Sequence, residues 1–222
     1  MKTFVYNFPE NYPWYRKLGC NLLFLIFGTT ILPRKNKLSN KDIRTARKLL
    51  KKGDIILGGD SRTLFSKLVR NPITHSMLYL GGKRIIHSIG ADGVRYNSLT
   101  FLFIKYDTLV VLRVPEKQRN RKRIIKEVIQ YADSQFKKPY DFELDPENEA
   151  LFCAELINKA FKEVGYETGL SIREGNKIIL KRSREAIRAH DFLKGNFDLV
   201  FYSHNLKIEN QQISYLKLDI NK

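Results

Sequence analysis

Cysteine and histidine are scarce in this chain, which holds two Cys and four His among 222 residues. Cys20 and Cys153, more than half the chain apart, make no disulfide framework and cannot build a thiolate metal site. His75 and His87 are not joined by cysteines or carboxylates at metal-ligand spacing, so neither a metal nor any other cofactor is expected. Phosphate-cradling glycine loops are missing too: GGDSRT at 58–63 lacks the Gly-Lys-Ser/Thr ending of such a loop. No Pro/Ser-rich linker splits the chain, and its 43% apolar content supports one good core. Acidic residues are outnumbered by basic ones, 23 against 40, which leaves a net charge of +17.

What the chain does hold is a pair of reactive side chains. Cys153 sits in ALFCAELINKAF, and His75 lies 78 residues upstream in NPITHSMLYLGG. Leu156, Ile157, Ala160 and Val164 follow Cys153 at i+3, i+4, i+7 and i+11, so the thiol shares the inward face of an apolar helix. With Asn148 as N-cap and Gly165 as C-terminal stop, Cys153 falls in the first turns, where the helix dipole favours a thiolate. A thiol at a helix start and an imidazole at a strand start are the two parts a cysteine hydrolase needs. The competing interpretation is a buried, inert cysteine.

The surrounding segments alternate in type. KKGDIIL predicts a strand, SRTLFSKLVR a short helix stopped by Pro72, and THSMLYL and RIIHSI two strands joined through Gly81 and Gly82. TLVVLRV predicts a further buried strand, Glu116 to Phe136 a long basic amphipathic helix, and KKPYDFELD a loop leading to the cysteine helix.

In this order, GDIIL, THSMLYL, IIHSIGADGVRY, VVLRV, KKPYDF and FCAELI resemble the circularly permuted, NlpC-like papain-fold cysteine peptidases and amidases, the YiiX-like group. The resemblance spans residues 50 to 202 and has histidine before cysteine, as the permuted group does. It implies an α+β fold, a central antiparallel sheet packed on the helix that carries the cysteine. It also implies Cys153 as nucleophile and His75 as general base and acid. The group has a polar residue, often Glu, on the strand after the histidine; here His87 stands at that point. A hairpin loop of residues 81 to 83 would turn His75 and His87 to one side, whereas a two-residue Gly81-Gly82 loop would put Ser88 there. The other reading of His87 is a satisfied, partly buried histidine. By the same resemblance Tyr140 lends its hydroxyl to the oxyanion, alongside the Cys153 backbone N–H, or else packs as an aromatic at a Pro-turn. Asp141 and Glu155 match group positions and read as structural hydrogen-bonding residues. The implied activity is cleavage of an amide bond, in a peptide or cell-wall peptide, through a thioester on Cys153. A thiol acyl hydrolase or acyltransferase acting on lipids, similar to lecithin-retinol acyltransferase relatives, is the second reading. An inactive, basic, membrane-attached binding module is the third. Substrate shape is expected to come from loops 58–63, 90–106 and 165–182.

Leu18 to Leu32 is nearly all apolar, flanked by Arg16 and Lys17 before and Arg34, Lys35 and Lys37 after, with Tyr12, Trp14 and Tyr15 just upstream. Fifteen residues of helix reach about 22 Å, short of the roughly 30 Å hydrocarbon core. An interfacial or embedded helix fits as well as a span, and a helix packed over the core is the alternative. No cleavable signal is recognised, because the apolar run starts late behind FPENYPWY. The expected organisation is an N-terminal extension over 1–50, a catalytic domain over 51–203 and a polar tail over 204–222. The excess positive charge suits an anionic membrane surface or cell-wall polymer. It also suits a lysine-rich solvated surface. Nucleic acid is disfavoured, since no recognised binding motif or interleaved stacking aromatics are present. The reduced thiols suit a membrane-associated or cytoplasmic location.

Overall fold

A computed structural model describes residues 4–10, 12–28, 38–69, 71–142, 149–170 and 187–216, without the side chains of Phe27, Phe65 and Leu68. Its elements, in chain order, begin with helices α1 (Trp14–Gly28) and α2 (Asn40–Leu49). Strand β1 (Ile55–Gly59), helix α3 (Leu64–Val69) and strands β2 (His75–Gly81), β3 (Arg84–Ile89) and β4 (Gly93–Ser98) follow. Next come α4 (Leu99–Lys105), β5 (Thr108–Arg113), α5 (Arg121–Ser134) and α6 (Cys153–Glu163). A 3-10 turn at Ala189–Lys194 leads to β6 (Asp198–Tyr202), β7 (Leu206–Glu209) and β8 (Gln212–Tyr215).

Six strands form one antiparallel sheet in the order β4-β3-β2-β1-β5-β6. β1 and β5 are buried along their whole length, which is why both read as unbroken apolar runs rather than alternating ones. Each sheet face is covered. One core joins Ile55, Leu57, Leu78, Ile86 and Val110 to α5 and α6; the other joins Ile56, Met77, Ile85 and Leu109 to α2 and α4. β7 and β8 make a separate two-stranded hairpin.

Several elements differ from expectation. The helix predicted from Glu116 begins only at Arg121, preceded by Asn120 at φ +56. Residues 90–106, read as a loop, contain the edge strand β4 and α4. The polar sequence GVRYNS conceals a strand because β4 is the end strand of the sheet, where polar side chains are accepted. α1 starts at Trp14, so Trp14 and Tyr15 lie in its first turn instead of upstream of it. The end of the apolar run, 29–32, and the basic residues 34, 35 and 37 lie outside the described residues, as do 171–182 of the third predicted loop.

The hairpin register follows neither loop considered. Gly81 pairs with Arg84, so the turn is Gly82-Lys83, both at positive φ (57 and 64), with an irregularity between Tyr79 and Gly81. That extra residue restores the parity of a three-residue loop: Leu78 lies opposite Ile86, so His75 and His87 share one face, and Ser76 and Ser88 share the other.

Candidate active site

Cys153 is the first residue of α6, and Phe152, its N-cap, supplies no side-chain cap. Asn148, the expected cap, lies outside the described residues. Without a capping oxygen the opening N–H groups of the helix are left for the sulfur. The backbone N–H groups of Cys153 and Ala154 favour its thiolate, and so do the backbone N–H and hydroxyl of Ser76. The Ser76 hydroxyl is fully buried and makes no geometrically formed hydrogen bond among the described residues, so its contribution rests on proximity to the sulfur. Burial outweighs these donors and pushes the thiol above its ordinary range.

The start of α6 is fixed from three sides. The Ser88 hydroxyl donates to the Leu151 carbonyl, and Leu151 N–H donates to the Pro139 carbonyl at 3.0 Å. Glu155, third residue of the helix, turns its carboxylate back to the Phe152 N–H and pairs with Lys159 at 2.8 Å. Ser88 therefore anchors the cysteine helix and stands on the opposite sheet face from His87. At the far end Gly165, at φ +73, closes α6: its N–H donates to Lys162 and that of Tyr166 to Phe161.

His75 opens β2, one residue before Ser76, so the strand that contacts the sulfur also carries the imidazole. The His75 ring is held from two directions. Its Nε2 lies 2.9 Å from His87 Nδ1, and its face stacks on Tyr106 with centroids 5.7 Å apart and planes 12° from parallel. His87 is fully buried, its Nε2 is 2.9 Å from Asn97 Nδ2, and its ring meets Phe101 edge-on at 6.0 Å. Nε2 of His75 is thus engaged with His87, and Nδ1 is the other nitrogen of the ring. Burial, with the Lys105 ammonium nearby, lowers His75 to about 3. Burial, then His75 and Arg95, hold His87 well below its ordinary value.

Tyr140, half-buried, tilts against Phe142 with centroids 4.8 Å apart. Burial and then the charge of Cys153 raise the phenols of Tyr106 and Tyr140 well above their usual value. The sequence pattern singled out Tyr140 and missed Tyr106, Ser76 and Asn97. Tyr106 ends α4, which the sequence did not reveal, while Ser76 and Asn97 look like ordinary polar strand residues.

Asp141 is buried, and its charge adds to the burial that raises Glu155. Among the described residues no group of three or more His, Cys, Asp or Glu could hold a metal ion. The two central histidines point ring nitrogens at each other instead of at a shared centre.

Three comparisons bear on this arrangement. The crystal structure described as metalloprotein yiiX from Escherichia coli O157:H7 matches with a TM-score of 0.56 at 17% identity, covering 69% of this chain and 97% of that one. Curated proteins give no match. The family described as permuted papain-like amidase enzyme, YaeF/YiiX, C92, matches residues 49–187, which include both the histidine strand and the cysteine helix. The chain has the permuted papain-like fold and belongs to this family of papain-like amidases, which are cysteine hydrolases.

Proposed function

We propose that the chain hydrolyses an amide bond in a peptide or cell-wall peptide, with Cys153 as nucleophile and His75 as general base and acid. The observation that carries this reading is the Cys153 thiol at the bare N-terminus of α6, against the N–H of the residue that follows His75. Nδ1 of His75 accepts the thiol proton as sulfur attacks the carbonyl carbon. The resulting oxyanion meets the Cys153 N–H and the Tyr140 hydroxyl. Collapse breaks the C–N bond, and the amine leaves with the proton held by His75. Water then cleaves the thioester, losing a proton to His75 and releasing the acid while sulfur recovers its proton. His87 orients the His75 ring. With a neutral residue in place of a carboxylate, the imidazolium is less stabilised, so it is a transient species.

The yiiX relative is described as a metalloprotein. The donor set among the described residues of this chain does not fit a metal ion.

A peptidyl acyloxymethyl ketone, located by mass spectrometry, and hydrolysis of N-acyl and cell-wall peptides test this reading. Labelling and turnover at Cys153 are expected, with Cys153→Ala abolishing both and His75→Ala lowering turnover on the order of 10²-fold or more. Turnover that survives Cys153→Ala overturns it.

One observation favours a second substrate class, a lipid amide or ester at an anionic membrane surface. Trp14, Leu18, Leu22 and Leu25 expose one face of α1 to solvent. The same helix sets Phe24 against Gly90, next to Phe142, which packs on Tyr140. No helix among the described residues is long and apolar enough to cross a membrane, so this partner would be met at its surface.

A further inference from the structure

We infer that Asn97 is a positioning residue that sets which nitrogen of His75 carries the proton, and that its carboxamide oxygen faces His87 when His75 acts as the base. This rests on the hydrolase reading above and names a residue which that reading does not use.

The geometry is a chain of three side chains on one sheet face. Asn97 and His87 lie on adjacent strands, Asn97 opposite Ile85 and His87 opposite Arg95, so the amide reaches the imidazole on the diagonal. The links are Asn97 Nδ2 to His87 Nε2 and His87 Nδ1 to His75 Nε2, each 2.9 Å. A neutral imidazole donates from one nitrogen and accepts at the other, so fixing any link fixes them all. With Asn97 Nδ2 toward His87, Nε2 of His87 accepts. Its Nδ1–H then donates to His75 Nε2, and the His75 proton sits on Nδ1, where it blocks general-base action. A half-turn of the amide puts Oδ1 in the same place. His87 Nε2–H then donates to that oxygen, His75 Nε2–H donates to His87 Nδ1, and His75 Nδ1 is a free base. The two orientations fill the same space, and only the second lets Nδ1 take the thiol proton.

The neighbours allow few other ways to fix the tautomer. Among the described residues Lys105 and Arg95 are the charged groups acting on the pair, and both are cations that oppose an imidazolium. Tyr106 and Phe101 contribute ring faces and edges. Ser76, on the other sheet face, turns to the sulfur. Asn97 is the residue that hydrogen-bonds the outer nitrogen of His87, and it sits on the edge strand β4, where substitution is tolerated without breaking a core.

The test combines nitrogen-15 NMR of the histidine rings, which needs no substrate, with iodoacetamide alkylation of Cys153 from pH 5 to 9, read by mass spectrometry. In the parent, His75 is expected to carry its proton on Nε2. Asn97→Leu, similar in size and without hydrogen bonds, should mix the tautomers and slow any Cys153-dependent turnover roughly ten- to hundredfold, with KM little changed. Asn97→Ala gives the same reading if the leucine variant does not fold. Asn97→Asp supplies only acceptors, so it should keep the parent tautomer. Its carboxylate should also stabilise the imidazolium, raising the alkylation rate at pH 7 on the order of tenfold. A parent tautomer that persists in Asn97→Leu and Asn97→Ala, or an aspartate variant that behaves like leucine, overturns the proposal. A tautomer that follows Asn97 in a chain without Cys153-dependent hydrolysis sustains the assignment and overturns the hydrolase reading instead.

Discussion

Gly58 on β1 has no side chain to spare, because the Tyr106 ring lies where one would stand: a Cβ there would fall 2.9 Å from Tyr106 Cγ. Since Tyr106 backs the His75 ring, a methyl group on β1 reaches the His75 imidazole through one intervening aromatic. Gly58→Ala should cost about 1–3 kcal/mol of stability from overpacking. It should also lower kcat/KM on the order of tenfold as His75 loses its support. Urea unfolding and peptide turnover of the same preparation check this; a loss of stability with full activity would show that Tyr106 does not position His75. Burial holds His75 near 3 and lifts Cys153, so at neutral pH the pair rests as thiol and imidazole, not as an ion pair.

At the scale of elements, much of the arrangement was legible. Apolar strands such as TLVVLRV and the i, i+3, i+4 pattern after Cys153 are set by burial, which local sequence records directly. β4 and α4 were not legible, since an edge strand with a polar face carries little hydrophobic period, and with them went Asn97 and Tyr106. The facing of His75 and His87 depended on an irregularity near Leu80, a backbone detail no residue type announces. α1 is the element whose role is least tied to the core. Its face of Trp14, Leu18, Leu22 and Leu25 should bind vesicles of phosphatidylglycerol more tightly than phosphatidylcholine, and less so as salt rises. Leu18→Glu with Leu22→Glu should weaken that binding at least about tenfold, given roughly 1.5–3 kcal/mol per buried leucine. Sedimentation with both vesicle types decides it; binding that ignores the substitutions would leave only nonspecific attraction of the net positive charge.

For the whole molecule, the neutral histidine pair couples the site to global stability. In the unfolded chain His75 and His87 take up protons near pH 6.5, whereas in the fold burial holds His75 unprotonated down to about pH 3 and His87 well below its ordinary value. The unfolded state therefore binds more protons between about pH 3 and 6.5. Stability contributed by these groups is present above that window and lost as pH falls through it, by up to about 1.4 kcal/mol per pH unit for each histidine. Asp42 and Asp60, held below their usual range against the cost of burial by Ser39 and His204 and by Arg62 and Lys105, add losses at lower pH, below about 3.8. Glu155, raised by burial, works the other way: its contribution is present below about 4.5 and fades as pH rises. A net charge of +17 adds self-repulsion that salt screens, so the measurement belongs at fixed, moderate ionic strength. Urea unfolding between pH 4.5 and 7 should show stability climbing with pH, and His87→Gln, which removes one titrating group while keeping a hydrogen-bonding amide, should flatten the climb by about half. An unchanged slope in His87→Gln would mean that this histidine takes up its proton in the fold as readily as in the unfolded chain, which overturns its being held neutral by burial.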